Sequence, residues 1–359
     1  MSVCAVLVNH HGAEEIAAAA AHVLQDDART EVIVVDNSDD AREWERLEQC
    51  LPAPVRRVRA PANLGFGQGC NLALSHTRAE RVMLVNPDVR VLPGCTAALA
   101  KALQDDPQLA AVAPRQFLDD GLQWRLPPAT LPTALHQWAT ERALRDARSE
   151  RRIQRAVHAE SLRCWTATQV LRQRALSGGI LMIRRGALPP GTPLFDPRFF
   201  MYYEDSDLCL RLRRSGRALA LVPQAKAVHA WVNRPDKAAL MEAGARQYFE
   251  IHAGPGNPWW PRAQALMARP ATIALDRLER FPGEGLAVDA RWAPEGWLME
   301  LSPSPLMLPA IGRLGHDERI AAPTEVLRHF MGVPVYGRLT PLGRERAFEQ
   351  ARGFLWPGH

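Results

Sequence analysis

Val3-Cys4-Ala5-Val6-Leu7-Val8-Asn9-His10-His11-Gly12 stands near the start of the chain, and Glu31-Val32-Ile33-Val34-Val35-Asp36-Asn37-Ser38 follows it after an alanine-rich stretch from about Glu14 to Leu24. Both runs are apolar without alternation, as strands covered on both faces must be, and the stretch between them has helical composition. Strand, helix, strand in that form predicts a parallel sheet with helices on its faces. Ligands of such sheets bind at the carboxyl ends of the strands, where Asn9, His10 and Asp36 fall. Asp36 has a second reading, as the cap of a helix over Ala41 to Cys50, and Asn37, Ser38 and Asp39 would cap equally well.

The pattern repeats once more. Val55 to Arg59 reads as a third strand, Ala62-Asn63-Leu64-Gly65-Phe66-Gly67-Gln68-Gly69-Cys70-Asn71 as a loop entering a helix that runs to about His76, and Arg81 to Val85 as a fourth strand ending at Asn86-Pro87-Asp88. Alternating glycines ahead of a helix let the backbone approach a phosphate. The outline also fits a dinucleotide-binding unit of an NAD-dependent dehydrogenase, but the glycines run Gly-x-Gly-x-Gly, Pro61-Ala62-Asn63 intervenes, and two strand-helix steps precede it. Asp88, held after a strand by Pro87, suits a divalent cation bridging phosphates; a simple turn is the alternative.

Pro93 to Asp106 reads as a helix and Ala110 to Pro114 as a strand. The segment from about 124 to 174 differs: it carries Arg142, Arg145, Arg148, Arg151, Arg152 and Arg155 with Trp124, Trp138 and Trp165, and reads as a helical excursion, solvated or facing anionic lipid. Leu176-Ser177-Gly178-Gly179 then turns into the strand-like Ile180-Leu181-Met182-Ile183. Arg217 to Pro223 and Ala225 to Val228 read as two further strands, closed by His229, which is either structural or a metal ligand.

Between these lies Phe199-Phe200-Met201-Tyr202-Tyr203-Glu204-Asp205-Ser206-Asp207-Leu208-Cys209-Leu210-Arg211. Acidic residues are favoured at a helix N-terminus, which accounts for Asp207 as a cap. Adjacent Glu204 and Asp205 behind an aromatic wall are also what a general base requires, because repulsion and burial raise proton affinity. Capping and catalysis both stand at this point.

With 359 residues, 47% of them hydrophobic and 23% charged, the chain can build a sizeable core and is not of disordered composition. Its net charge of +5 comes almost wholly from arginine, Lys101, Lys226 and Lys237 being the lysines, and no basic run resembles a nucleic-acid arm. The cysteines Cys4, Cys50, Cys70, Cys95, Cys164 and Cys209 are scattered and read as reduced core residues of a cytoplasmic protein. A strand beginning at Val3 leaves no room for a signal peptide, and no apolar run approaches the ~20 residues needed to cross a bilayer.

Taken in order, Val34-Val35-Asp36-Asn37-Ser38, Asn63-Leu64-Gly65-Phe66-Gly67, Val85-Asn86-Pro87-Asp88-Val89, Ser177-Gly178-Gly179, Phe200 to Arg211 and Val228-His229 resemble the inverting family 2 glycosyltransferases, especially the rhamnosyltransferase-like members that build bacterial cell-surface polysaccharide. The resemblance covers roughly the first 235 residues. It implies an α/β fold of GT-A type, a Rossmann-like nucleotide-sugar-binding domain with a mostly parallel sheet. It also implies a nucleotide-sugar donor such as dTDP-L-rhamnose, a glycan or lipid-linked acceptor, and Mg²⁺ or Mn²⁺. Asp205 then matches the family's base, with Glu204 beside it to orient it or to bind the acceptor. Asp88 and His229 match metal positions, Asn86 standing where the metal motif has its first aspartate. Val8, Asn9, His10, Asp36, Asn63, Gly67, Asn71, Asn86 and Asp88 fall on the donor side, and Gly178, Gly179 and Tyr203 on the acceptor side. Docking on the inner face of the membrane through the arginine-rich segment is a further expectation, and a homodimer, acceptor binding and partner docking are all open for the C-terminal third. An inactive nucleotide-sugar-binding scaffold on the same fold is the alternative.

Beyond about residue 235 the match fades. Residues 236–285 read as a helical connector, with Leu240 to His252 helical and a break at Gly254-Pro255-Gly256-Asn257-Pro258-Trp259-Trp260-Pro261. Residues 286–359 read as a small α+β appendage, with strands at Leu286 to Trp292, Trp297 to Leu301 and Val333 to Leu339, a helix after Pro323-Thr324, and a final amphipathic helix from about Leu342 to Leu355.

Overall fold

The structure is a computed structural model that describes residues 2–230, 237–254, 256–272, 278–281, 285–292, 294–321, 323–330, 332–343 and 347–356. The expectations for Trp231 and for residues 235 and 236 lie outside them. In chain order it begins with β1 (Val3–Asn9), α1 (Ala13–Asp26), β2 (Glu31–Asp36), α2 (Ala41–Cys50), β3 (Arg56–Arg59), α3 (Phe66–Leu74), β4 (Arg81–Val85), β5 (Val89–Val91), α4 (Cys95–Asp105) and β6 (Leu109–Phe117). Next come β7 (Trp124–Arg125), α5 (Ala134–Ala143) and α6 (Ala147–Thr166). These are followed by β8 (Leu171–Gln173), β9 (Ile180–Arg184), α7 (Glu204–Arg214), β10 (Ala218–His229) and α8 (Lys237–His252). The remainder contains α9 (Trp259–Met267), β11 (Glu279–Arg280), β12 (Leu286–Ala287), β13 (Trp297–Ser302), β14 (Ile311–Gly315), β15 (Arg319–Ile320), β16 (Val335–Pro341) and β17 (Arg352–Trp356).

Two compact units share this chain, and their division is not the linear one expected. The first takes residues 1–116, 128–132 and 167–254; the second takes 117–127, 133–166 and 255–359. Helix α8 therefore belongs with the first unit, and the arginine-rich helices α5 and α6 belong with the C-terminal strands.

In the first unit the sheet runs β3-β2-β1-β4-β9-β6. The pairs β1-β2, β1-β4 and β2-β3 are parallel, whereas β4-β9 and β6-β9 are antiparallel, so the sheet is mixed, its parallel part ending at β4. Apolar side chains fill both faces: Val6, Ile33, Val35 and Leu84 on one, Leu7, Val32, Val34 and Met83 on the other. This double coverage is why β1 and β2 carry no polar alternation. Strand β10 is continuous over twelve residues where two strands were expected. Pro223 falls between Leu219–Leu221, paired with β8, and Ala227–His229, paired with β5, so its missing N–H interrupts neither ladder.

In the second unit, strands run in the order β11-β17-β16-β13-β14-β7, and β12 pairs with β15. The helix expected over Leu342 to Leu355 is instead a short 3-10 turn at Ala347–Gln350 and strand β17. Phe354 and Trp356, two residues apart, both pack on Phe281, with ring centroids 5.4 and 4.5 Å away, so period-two aromatic burial overrides the helical pattern. The presumed break at Trp259 opens α9 instead, with Pro261 in the first turn, where a missing N–H costs little. At the centre of this unit Glu300 (0% exposed) takes two bonds from Arg338 (Nε 2.7 Å, Nη2 2.9 Å) and lies 2.8 Å from His158 Nδ1. Burial alone would raise the Glu300 carboxyl; the Arg338 guanidinium and His158 outweigh it and hold it down at about 2.

Candidate active site

Helix α7 starts at Glu204 behind Tyr202 and Tyr203, two consecutive residues in the left-handed region (φ 67° and 68°). Such a conformation is costly away from glycine and persists where its surroundings hold it. It delivers the two carboxylates to different surroundings. Asp205 Oδ2 accepts the Gly178 amide at 2.9 Å, and Oδ1 accepts the Ser206 amide at 2.6 Å and hydroxyl at 3.3 Å. Glu204 is buried, and its Oε2 has no hydrogen-bond partner among the described residues. Burial, then the Asp205 charge, pushes the Glu204 carboxyl well up; burial also raises Asp205, but its three donors favour the anion. The hydrogen-bond donors around Asp205 thus favour its anion over that of Glu204.

The capping account of Asp207 does not hold. Asp207 is 1% exposed, its Oδ2 accepts Arg211 Nε at 2.7 Å and its Oδ1 lies 2.9 Å from His252 Nε2. Helix α7 has no side-chain cap, and α2 is capped by Asp40 rather than by Asp36 or its neighbours.

The Gly178-Gly179 turn joins Asp205 to the ends of β4 and β10. Gly178 supplies the amide on Asp205, and the Gly179 carbonyl accepts the Asn86 amide at 2.8 Å. A Cβ on Gly179 would stand 2.4 Å from His229 Cε1, so only glycine admits that ring. His229 Nε2 lies 3.3 Å from Asp88 Oδ1, and its Nδ1 lies 2.9 Å from Gln116 Oε1. Gln116 Oε1 can only accept, so Nδ1 carries the proton and Nε2 turns its other position to the Asp88 carboxylate. An oxygen and a nitrogen donor so placed fit a Mg²⁺ or Mn²⁺ ion whose shell phosphate oxygens and water complete. Among the described residues no group of three or more His, Cys, Asp or Glu side chains is arranged to hold a metal unaided. Lys237, at the start of α8, is held below the usual lysine range by burial, against which the Asp88 charge acts.

At the ends of β1 and β2 the polar groups hold one another. Asn9 is fully buried, with its amide nitrogen 3.0 Å from Glu43 Oε1 and its oxygen accepting the Gly12 amide, so it is spent on the scaffold. Asn63 Oδ1 accepts from Asn37 Nδ2 and from the Gly65 amide, and its nitrogen lies 3.1 Å from His10 Nε2. Asp36 alone keeps an unused atom: Oδ1 accepts the Ser38 amide, while Oδ2 is buried with no partner among the described residues.

On its Cβ side the glycine series packs against protein. A Cβ on Gly65 (φ +78°) would meet the Phe200 carbonyl oxygen at 2.0 Å, one on Gly67 the Phe195 Cβ at 3.0 Å, and one on Gly69 the Val8 Cγ1 at 2.9 Å. Protein fills each space. Val8 is a core residue against α3, and Asn71 is turned away from the other candidates: it bonds both backbone groups of Phe195 and lines a separate groove of about 520 Å³ with Leu74, Arg185 and Leu194. Tyr203 packs its ring on Tyr248, centroids 5.6 Å apart. The structure links Asp88, Gly178, Gly179, Asp205 and His229 through neighbouring contacts, and sets beside them Gln116, Lys237 and His252, which the sequence reading did not single out. Lysine is rare enough in this chain that Lys237 carried a signal; Gln116 and His252 carried none.

The model of Glycosyl transferase family 2 matches residues 2–177, and the chain is a glycosyltransferase similar to that family over this stretch. It is similar to N-acetylglucosaminyl-diphospho-decaprenol L-rhamnosyltransferase of Mycobacterium tuberculosis, in each of two strains, at 28% identity over 255 residues, covering 64% of this chain and 76% of the relative. Among solved structures, GalNAc-T7 with UDP, GalNAc and Mn²⁺ aligns at TM-score 0.49 and 16% identity over 77% of this chain; the alignment spans only 53% of that protein. The mannosyltransferase PcManGT from Pyrobaculum calidifontis, with GDP-Man and Mn²⁺, aligns at TM-score 0.43 and 18% identity over 74% of each chain.

Proposed function

We propose that the chain transfers a sugar with inversion from a nucleoside-diphosphate donor, favoured as dTDP-L-rhamnose, to a hydroxyl of a glycan or lipid-linked acceptor. The observation that carries this reading is the Gly178-Gly179 turn, which puts the anionic Asp205 and the Asp88-His229 pair on one short stretch of backbone. Asp205 takes the acceptor proton as the new O–C1 bond forms and the bond from C1 to the diphosphate oxygen breaks, its electron pair leaving with the diphosphate. With no covalent intermediate the anomeric carbon inverts. Asp88 and His229 would hold a divalent ion, which supplies charge neutralisation for the leaving diphosphate. Protonated Glu204 keeps a second negative charge away from Asp205, and the unmatched, buried Asp36 Oδ2 is the acceptor that a nucleoside N–H or O–H would satisfy. The rhamnosyl preference rests on the named mycobacterial relative.

Docking on anionic lipid is supported in the second unit by the Trp138-Trp259 pair, centroids 4.8 Å apart, each ring covered by an arginine, Arg142 or Arg262. No helix among the described residues is long and apolar enough to cross a membrane.

The test is a thermal-shift screen of nucleotide sugars with and without Mn²⁺, in the wild type and in Asp205→Asn. The variant should bind dTDP-L-rhamnose normally and lose turnover by about 10²- to 10⁴-fold. Full activity in Asp205→Asn, or no shift with any nucleotide sugar, overturns the reading.

A further inference from the structure

The strained turn ahead of Glu204 is gripped from two sides. On one, the Phe200 carbonyl accepts the Phe66 amide at 3.0 Å in the space that Gly65 leaves. On the other stands α8. A Cβ on Gly244 of that helix would lie 2.7 Å from the Tyr202 carbonyl oxygen and 3.2 Å from that of Met201, so the helix seats against the left-handed residues only because position 244 has no side chain. One turn on, Tyr248 packs on Tyr203, and one turn further His252 packs on Tyr248 at 4.7 Å and reaches Asp207.

The His252 bonds have a definite direction. Arg214 Nη1 lies 3.2 Å from His252 Nδ1, and a guanidinium can only donate, so Nδ1 accepts and Nε2–H donates to Asp207 Oδ1 at 2.9 Å. Asp207 in turn receives Arg211 Nε at 2.7 Å, and its amide closes on the Tyr203 carbonyl at 2.9 Å. Asp205 sits between these fixed points, one residue after Glu204 and two before Asp207.

We propose that Gly244 and His252 are positioning residues of the transfer reaction: α8 clamps both the left-handed turn and the first turn of α7, and so sets the aim of Asp205. The proposal rests on the reading of Asp205 as the base. The contacts of both residues that the argument uses are to α7 and to the turn before it, and neither residue is part of the Gly178-Gly179 bridge. Rotation of α7 by a fraction of a turn would carry Asp205 off the Gly178 amide, and misplacement of a reacting group by about 1 Å can cost about 10²-fold in rate.

The experiment compares Gly244→Ala, His252→Leu, His252→Gln and Asp205→Asn in the full chain by two measurements. The first is hydrogen exchange at the Gly178 amide, which needs no substrate. The second is release of dTDP from dTDP-L-rhamnose with N-acetylglucosaminyl-diphospho-decaprenol. Gly244→Ala and His252→Leu should speed exchange at Gly178 while β1 amides stay as slow as in the wild type. They should lower kcat by about 10- to 100-fold with the donor KM within about twofold. His252→Gln, whose amide nitrogen can replace Nε2–H, should restore most of both. Unchanged Gly178 exchange in Gly244→Ala and His252→Leu overturns the clamp, as does wild-type kcat in both with Asp205→Asn inactive. Wild-type turnover in Asp205→Asn overturns the base reading instead.

Discussion

Asp205 and Glu204 are neighbours in sequence with opposite fates: the first receives three hydrogen bonds from Gly178 and Ser206, the second is buried with one oxygen unmatched among the described residues. One folded turn thereby gives two adjacent carboxyl groups opposite hydrogen-bonding surroundings.

This arrangement makes stability depend on pH in a defined direction. The folded Glu204 carboxyl is raised above its unfolded value, so the native state retains a proton that the unfolded chain releases, and stability falls as pH climbs from the ordinary glutamate range through the folded value. Glu204→Gln keeps the shape and removes that loss. Its Tm should exceed that of the wild type near pH 8 and match or fall below it near pH 4, as differential scanning calorimetry will read. A Tm difference that does not vary with pH would count against a protonated Glu204.

Gly179→Ala places a methyl group 2.4 Å from the His229 ring. The ring must shift, and the Asp88-His229 pair opens. Mn²⁺ affinity measured by titration calorimetry in the presence of dTDP should drop by about 10- to 100-fold, in the range seen when groups supporting a metal ligand are removed. Wild-type affinity would show that His229 takes no part in holding the ion.

Gly65 and Gly94 both have positive φ, +78° and +81°, but Gly94 is αL (ψ 0°) whereas Gly65 has ψ 172°, a region almost confined to glycine, and of the two only Gly65 has a neighbour where its Cβ would be. Gly94→Ala should cost about 1 kcal/mol of conformational strain. Gly65→Ala adds a clash with the Phe200 carbonyl and should cost about 3 kcal/mol or more. Urea titration of the two variants reads the two costs, and equal costs would refute the close approach of Phe200.

In the second unit, Arg338→Met leaves Glu300 buried with His158 alone. Losing one partner of a buried pair costs about 3–5 kcal/mol, so this variant should unfold at markedly lower urea. Glu300 is depressed in the fold, so its contribution is present above the ordinary glutamate range and is lost as pH falls towards about 2. Arg338→Met should show a shallower acid limb than the wild type in the same titration.

Strands β1, β2 and β4 were legible in the sequence to within a residue or two, because burial on both faces leaves a continuous apolar run that few other elements produce. The pairing of Asp205 with Gly178 was foreshadowed only as two motifs in order, since nothing in either segment specifies contact across 27 positions. The glycines at 65, 67 and 69 read ambiguously in the sequence for a physical reason: a missing Cβ admits a phosphate or a neighbouring strand equally, and here Phe200, Phe195 and Val8 occupy those positions. Helix α8 was legible as a helix, but the bond from His252 to Asp207 was not, because a histidine on a helix carries no mark of its partner. Strand β17 was misread because a short aromatic run fits helical and extended periods alike.

The interleaved division of the chain bears on how it is made. Residues 133–166 leave the ribosome well before residues 255–359, which contain the strands they fold with. During synthesis α5 and α6 must therefore wait, with Trp138 and Trp165 unsheltered, while about ninety residues of the other unit emerge between the two halves. A nascent chain stalled near residue 254 should present that arginine-rich, tryptophan-bearing pair to chaperones or to lipid, and truncation there would strand it permanently.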